Sequence, residues 1–372
     1  MDINSDKFKK ILTTSAVPVL FLFISAIAIP ISRYTGSFLL NEIITRLSRN
    51  SFLVIALLLP VMAGMGINFG MILGAMAGQI GLIFVLNWGV GGALGLLLAA
   101  LVATPISIFM GWFAGQILNK AKGREMITSM ILGLFTSGIY QFILLFLFGS
   151  VIPFDNPILI LSRGFGVRNA LSLKIVSYGF DNLLPIKLGG ISIPVGTFLI
   201  ISLICLFIVW FKNTKLGQDM RAVGQDNAVS NTAGINVDKT RVQSIMFSTV
   251  LACYGQIISL QNIGTLNTYN GADQAALFAA AALLVGGATV SKASIVNATI
   301  GTALFHLMFI VVPIAGNNLT GQAQLGEYLR MVVSYAVIAM ALVLHAWKRQ
   351  KDKEIGRAHL RNASVDINKG KI

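Results

Sequence analysis

Long apolar runs constrain this chain more than any other feature. Stretches of roughly 20 apolar residues, enough to cross about 30 Å of hydrocarbon, recur along all 372 residues. Charged residues make up only 11% of the chain, against about 25% in soluble domains. The expected fold is an all-α polytopic membrane protein of about ten transmembrane helices, with broken or re-entrant elements. The runs fall near 11–30, 51–66, 67–86, 90–117, 126–149, 193–212, 242–262, 274–290, 293–315 and 326–347. The second and third meet through MGINFG and read as one broken element or as two.

The formal net charge is +14. The basic residues cluster just outside the apolar runs, and no patch interleaves them with aromatic residues, so nucleic acid is not an expected partner. Their placement instead sets an orientation. Three Lys/Arg in the head, three in 120–124, five in 212–241, Lys292 and eight in the tail put 20 of 28 on one side when both termini are cytoplasmic. Residues 1–347 read as a single transmembrane domain and 348–372 as a basic cytoplasmic tail. The N-terminal run lacks a small-residue cleavage site and is expected to stay as the first span.

Two stretches break the charge pattern. Arg46 and Arg49 fall outside, in SRYTGSFLLNEIITRLSRN, where apolar residues recur at helical spacing. That stretch reads as an amphipathic helix lying on the outer surface, in contact with membrane lipid. The external loop 150–192 carries Arg163 and Arg168 and is too long to be a plain connector.

Glycine and polar residues inside the runs limit the chemistry. Gly66, Gly70, Gly74 and Gly78 recur every four residues, which on one continuous helix would line a single close-packing face. That seam reads as packing alone or as packing that also lines a pathway. Pro60 and Pro105 fall inside runs and would free backbone carbonyls there. All fourteen Asp/Glu lie in loops, tails or span edges, whereas cation-coupled carriers hold carboxylates at mid-membrane. An ion- or proton-coupled secondary transporter is therefore the second choice of function, and an intramembrane enzyme the third. There is no GxxxxGK[ST] phosphate loop, no metal-ligand spacing, and Cys205 and Cys253 sit apart in apolar runs. His306 is the one titratable residue deep in a run; it is either functional or a neutral imidazole bonded to a neighbouring carbonyl. The amides Asn68, Gln256, Gln261, Asn262 and Asn297 are interhelical glue or the lining of a path for a neutral, hydroxyl-rich solute. Gln256, Gln261 and Asn262 form the favoured path cluster.

The segment 213–241 contains GQDMRAVGQDNAVSNTAGINV, polar and glycine-punctuated between two apolar runs. Leu216 to Val223 is expected to extend the preceding span for two turns, ending near Gly224. Asp226 suits an N-cap for a second, short helix, with Ala228 and Val229 on a small apolar face. Gly234 is placed to close that helix in left-handed conformation, with Ile235 packing back. Such a knob calls for a partner's pocket.

RAVGQDNAVSNTAGINV resembles the cytoplasmic coupling segment of ABC-importer permeases that serve ribose and other simple sugars, nucleosides, autoinducer and branched-chain amino acids. Arg221, Ala222, Gly224, Ala228, Gly234 and Ile235 match the family pattern; Gln225, Asp226, Asn227 and Val229 lie between them. FLLNEIITRLSRNSF with GMGINFGMILGAMAG, and LLVGGATVSKASIVNATIGTALF, resemble further parts of that family. The Gly66-Ile67-Asn68-Phe69-Gly70 stretch departs from the sugar branch, which has aspartate-leucine-serine there, and is nearer the asparagine-containing version of the nucleoside branch but without its usual glutamate-glycine. The solute therefore stays open, with a simple sugar or a nucleoside favoured. The resemblance implies a permease subunit in the bacterial inner membrane, paired with a second copy or a paralogue. It implies ATPase subunits that hold ATP and magnesium, so no cofactor in this chain, and a solute-binding protein outside that delivers a small polar solute. Arg46, Arg49, Arg163 and Arg168 would then meet acidic lobes of that binding protein.

Overall fold

The computed structural model describes residues 3–154, 156–188, 191–289, 292–332, 335, 336, 339, 340 and 343. The basic tail expected from 348 onward lies outside the described residues, as does much of the run at 326–347. Twelve helices run in chain order among the described residues: α1 (Ile3–Ser32), α2 (Gly36–Ala56), α3 (Leu58–Met62), α4 (Met71–Trp88), α5 (Gly92–Lys120), α6 (Glu125–Phe146), α7 (Val195–Phe211), α8 (Lys215–Gln225), α9 (Asn227–Thr232), α10 (Val237–Ile263), α11 (Gly271–Val285) and α12 (Ile295–Thr320). Residues 323–332 are helical again.

Among the described residues, six helical stretches are long and apolar enough to cross a membrane: α2 with α3, α4, α5, α6, α10 and α12. The pair α7 and α8 adds a seventh if counted as one bent span. Val17–Ser32 and Gly271–Val285 are apolar but shorter. This is a multi-pass membrane protein. Burial follows the lipid-facing logic. Leu94, Leu97, Leu101 and Phe109 of α5, and Ile127, Ile131, Leu134 and Phe135 of α6, are exposed, as expected where hydrocarbon is the solvent.

The interior is built around α10. Small residues let its neighbours press on its backbone, since interhelical attraction in lipid comes from close packing rather than from the hydrophobic effect. A Cβ on Gly74 or Gly78 of α4 would sit 2.1 Å from Thr249 O or 2.7 Å from Cys253 O. One on Gly111 of α5 would meet the Met246 Cα at 2.9 Å, and one on Gly255 of α10 would meet the Leu53 backbone N at 3.0 Å. Ser248 donates to Ala56 O at 2.8 Å, closing the contact with α2.

Four expectations need correction. Gly66, Gly70, Gly74 and Gly78 do not share one helix face: Gly66 has φ +74° in the non-helical 63–70 segment and Gly70 precedes the first turn of α4. Only Gly74 and Gly78 remain as a seam. The stretch expected as a surface amphipathic helix is the first half of α2, which continues without interruption to Ala56; its polar residues turn inward toward a cavity, as described below. The helix expected to extend past Phe211 instead bends by 73° into α8, because Thr214 takes extended geometry and caps α8 through Gly217 N at 3.2 Å. The fold is also not wholly helical. Antiparallel β1 (Ala170–Ser172) pairs with β4 (Thr265–Asn267), and β2 (Pro185–Leu188) with β3 (Ile191–Pro194). These ribbons fold the long 150–192 loop onto the bundle, burying Val167, Leu171, Leu173 and Val176.

Candidate functional site

The segment 213–241 forms a compact hook at one end of the bundle. α8 buries Met220 and Val223 and leaves Arg221 and Gln225 exposed. Asp226 serves two helices at once. Its N–H closes α8 on Ala222 O at 3.1 Å, and its Oδ1 accepts from Ala228 N at 2.8 Å and Val229 N at 3.0 Å to start α9. α9 ends in a Schellman motif, with Ile235 N donating to Ser230 O at 3.0 Å and Gly234 N to Asn231 O at 3.1 Å. Gly234 sits at φ +84°, where a side chain would be strained. Asn227, Ala228 and Val229 are exposed, and Val229 keeps 64% of its surface accessible. An apolar tip on a two-turn helix that cannot be stable alone is a contact looking for a pocket. Asp226→Ala should cost about 1 kcal/mol of local stability. Amide hydrogen exchange at Ala228 and Val229 should accelerate while global unfolding is unchanged, and unaltered exchange there would remove the capping role.

The hook touches the bundle at a glycine crossing. A Cβ on Gly224 would sit 2.2 Å from Met62 O, and one on Gly64 would sit 2.8 Å from Gly224 Cα. The backbone of α8 thus bears directly on the end of α3. Beside it, Arg241 at the start of α10 is 1% exposed and paired with Glu125 at the start of α6, and Lys122 pairs with Asp238 at 2.7 Å.

Toward the other end, α2, α10, α11 and α12 enclose a cavity of about 400 Å³. Arg46, Arg49 and Asn50 enter it from α2, Gln256 from α10, Gln274 and Phe278 from α11, His306 and Phe309 from α12, and Arg330 from the helical stretch that follows. Gln256 and His306 are 2% and 5% exposed, and Gln256 Oε1 and His306 Nδ1 have no hydrogen-bond partner among the described residues. The carbonyl bond expected for that histidine is thus not made at Nδ1. No carboxylate among the described residues lines the cavity.

The residues that build the hook and the cavity lie within a stretch that matches a known family. The family model for the branched-chain amino acid transport system / permease component matches residues 39–342. The chain belongs to this permease family. It is similar to the probable ABC transporter permease protein YphD of Escherichia coli strain K12, 27% identical over 199 residues, covering 52% of this chain and 57% of that one. It is also similar to the ribose import permease protein RbsC of the same strain, 23% identical over 315 residues, covering 82% and 84%. The galactose/methyl galactoside import permease protein MglC of Haemophilus influenzae is 26% identical over 206 residues, covering 49% and 59%. Comparison with solved structures returns no match. The permease is a membrane transport subunit rather than an enzyme.

The permease separates the residues singled out in its sequence. Gln256 and His306 share the cavity. Gln261 and Asn262 instead knot the 150–192 loop to α10. Gln261 Oε1 accepts from Phe180 N at 2.9 Å, its Nε2 donates to Thr197 Oγ1 at 3.2 Å, and Asn262 Nδ2 donates to Asp181 Oδ2 at 2.8 Å. Thr197 and Gln261 also donate to Asp181 Oδ1. Asn68 Oδ1 accepts from Gly70 N at 2.8 Å, and Asn297 Nδ2 donates to Gly286 O at 2.7 Å, so both brace turns. Of the four docking arginines, Arg46 and Arg49 line the cavity. Arg163 is held over the Phe165 ring at 4.3 Å and donates to Leu145 O at 3.0 Å, while Arg168 donates to Ile160 O at 2.8 Å. Sequence reasoning missed Gly64, Asp181, Arg330 and the Arg241–Glu125 pair. Gly64 carried a signal, standing beside the GMGINFG break; the others carried none, because their partners lie far away in the chain.

Proposed function

We propose that this permease is the membrane subunit of an ATP-driven importer for a small polar solute, with ATP and magnesium held by partner ATPase subunits. The observation that carries the reading is the hook: a capped, exposed two-turn helix with an apolar tip, joined through α8 to a backbone crossing on the end of α3, the continuation of α2, which lines the cavity. A chain without a phosphate loop needs a partner to supply energy, and the hook is shaped to receive its push. The names of the relatives, ribose and galactose import permeases among them, support a solute related to simple sugars, with nucleosides as the neighbouring class.

In this reading, the domain 1–347 crosses a bacterial inner membrane about ten times with both termini cytoplasmic, as the basic residues favour. The hook faces the cytoplasm. The ribbon-bearing loop, with Arg163 and Arg168, faces an extracytoplasmic binding protein, and a second permease completes the pathway.

Ala228→Arg tests the hook. Ala228 is exposed, so the variant should fold normally. Its co-purification with the ATPase should fall at least about tenfold, the loss expected when a charge enters an apolar contact. Retained co-purification would overturn the hook as the ATPase contact.

A further inference from the structure

The cavity carries positive charge that its own walls do not balance. Arg46 pairs with Glu42 at 3.1 Å and Arg330 with Glu327 at 2.6 Å. Arg49 has no ion pair among the described residues, and its Nε is buried without a hydrogen-bond partner. No Asp or Glu among the described residues lines the space. Leaving a guanidinium unmatched in such a place is costly unless something that visits it carries the complementary charge. A guanidinium matches a carboxylate or phosphate in planar, two-bonded geometry, which an alcohol does not reproduce.

The remaining walls describe the rest of the visitor. Gln256, 98% buried, and His306 line the cavity, and Gln256 Oε1 and His306 Nδ1 have no hydrogen-bond partner among the described residues. They would meet hydroxyl groups. Phe309, with the Arg330 guanidinium at 4.7 Å from its centroid, and Phe278, whose ring stands edge-on to it at 4.8 Å, offer apolar faces to the C–H side of a small ring. A volume of about 400 Å³ lies within the range of about 300–1,000 Å³ usual for small-molecule sites.

We infer that the cavity takes a hydroxylated anion, a solute that joins a sugar-like hydroxyl set to one carboxylate or phosphate. The inference rests on the importer reading and narrows its solute class. A neutral sugar would satisfy Gln256 and His306 and leave Arg49 without a close ion partner; a cation would be repelled by Arg49, the arginine of the three without an ion pair among the described residues; a simple inorganic anion would leave the two buried polar groups unmet.

The test is a titration of the purified permease in lipid nanodiscs, read by the shift of its unfolding midpoint. Four probes are compared: ribose, ribonate, ribose 5-phosphate and inorganic phosphate. Ribonate or ribose 5-phosphate should bind at least about tenfold more tightly than ribose and than phosphate, as expected for a charge-assisted contact added to hydroxyl recognition. Which of the two binds more tightly identifies the acid. Arg49→Gln should remove the advantage of the anions over ribose, and Arg49→Lys should keep part of it. Equal affinity for ribose and the anions, equal affinity for phosphate, or no binding by any of the four overturns the inference. The four-probe comparison on the natural protein decides the matter even if Arg49→Gln fails to fold. Loss of the inference leaves the importer reading untouched as long as the ATPase still co-purifies, so the two fail separately.

Discussion

Gly224→Val is expected to leave the ATPase bound and to disconnect it. The knob that would enter the ATPase is α9, whose caps at Asp226 and Gly234 do not involve position 224. The crossing beneath it does. Any Cβ at 224 would lie 2.2 Å from Met62 O, with the Gly64 backbone N at 3.0 Å, so no side-chain rotation relieves the clash and two backbones must part. Overpacking of this kind costs about 1–3 kcal/mol. It would also open a gap where, in the proposed importer, movement of α8 would be delivered to α3. In proteoliposomes, stimulation of ATP turnover by the solute-loaded binding protein should fall by at least about tenfold, with co-purification retained. Gly64→Ala should do the same from the opposite side, made worse by the φ of +72° at that residue. Normal stimulation in both variants would show that force passes elsewhere. The contrast with Ala228→Arg is diagnostic, since that change removes binding and this one removes transmission.

Glu125→Gln should be the most destabilising single change at the same end of the bundle. Arg241 is 1% exposed and its ion partner is Glu125. Neutralising the acid leaves a buried guanidinium uncompensated, and breaking such a pair costs about 3–5 kcal/mol. The unfolding midpoint of the detergent-solubilised permease should drop accordingly. Removing both charges together, as Glu125→Gln with Arg241→Met, should recover most of the loss, because the desolvation penalty then disappears with the charge. A double variant no better than the single one would mean that Arg241 acts through contacts other than this pair.

Much of the hook was legible before the structure. Asp226 as an N-cap, α9 as a two-turn helix and Gly234 as its left-handed stop are local events governed by the nearest few residues, and each appears where the chain's own grammar puts it. The bend before α8 was not legible. Lys212, Asn213 and Thr214 hold no proline or glycine, and the 73° turn depends on Thr214 taking extended geometry against the bundle. The amphipathic pattern of the 33–50 stretch was read correctly as a helix and incorrectly as a surface one. Periodicity tells which residues share a face and says nothing about whether that face meets lipid headgroups or a polar cavity. The grouping of Gln256, Gln261 and Asn262 failed for the same reason. Gln256 lies more than a turn from the other two along α10, enough for one to face the cavity and two to face Asp181. Contacts such as Gly64 with Gly224 join positions 160 residues apart, beyond what one sequence can announce.

The uninterrupted, proline-free run of α10 has a mechanical meaning. α1, α5 and α12 each carry proline within the helix, and proline gives a helix a place to flex. α10 has none in its 27 residues. It starts beside the hook, where Arg241 is clamped, and about 28 Å further on it presents Gln256 to the cavity. Close beyond lies the Asp181 knot, which ties the ribbon-bearing loop to its far tip. A hinged strut absorbs a displacement; a rigid rod hands it on. Tilting α10 at its clamped end would shift a cavity wall and the rim of the opposite face in one stroke, so entry and exit for the solute would be timed by a single moving part.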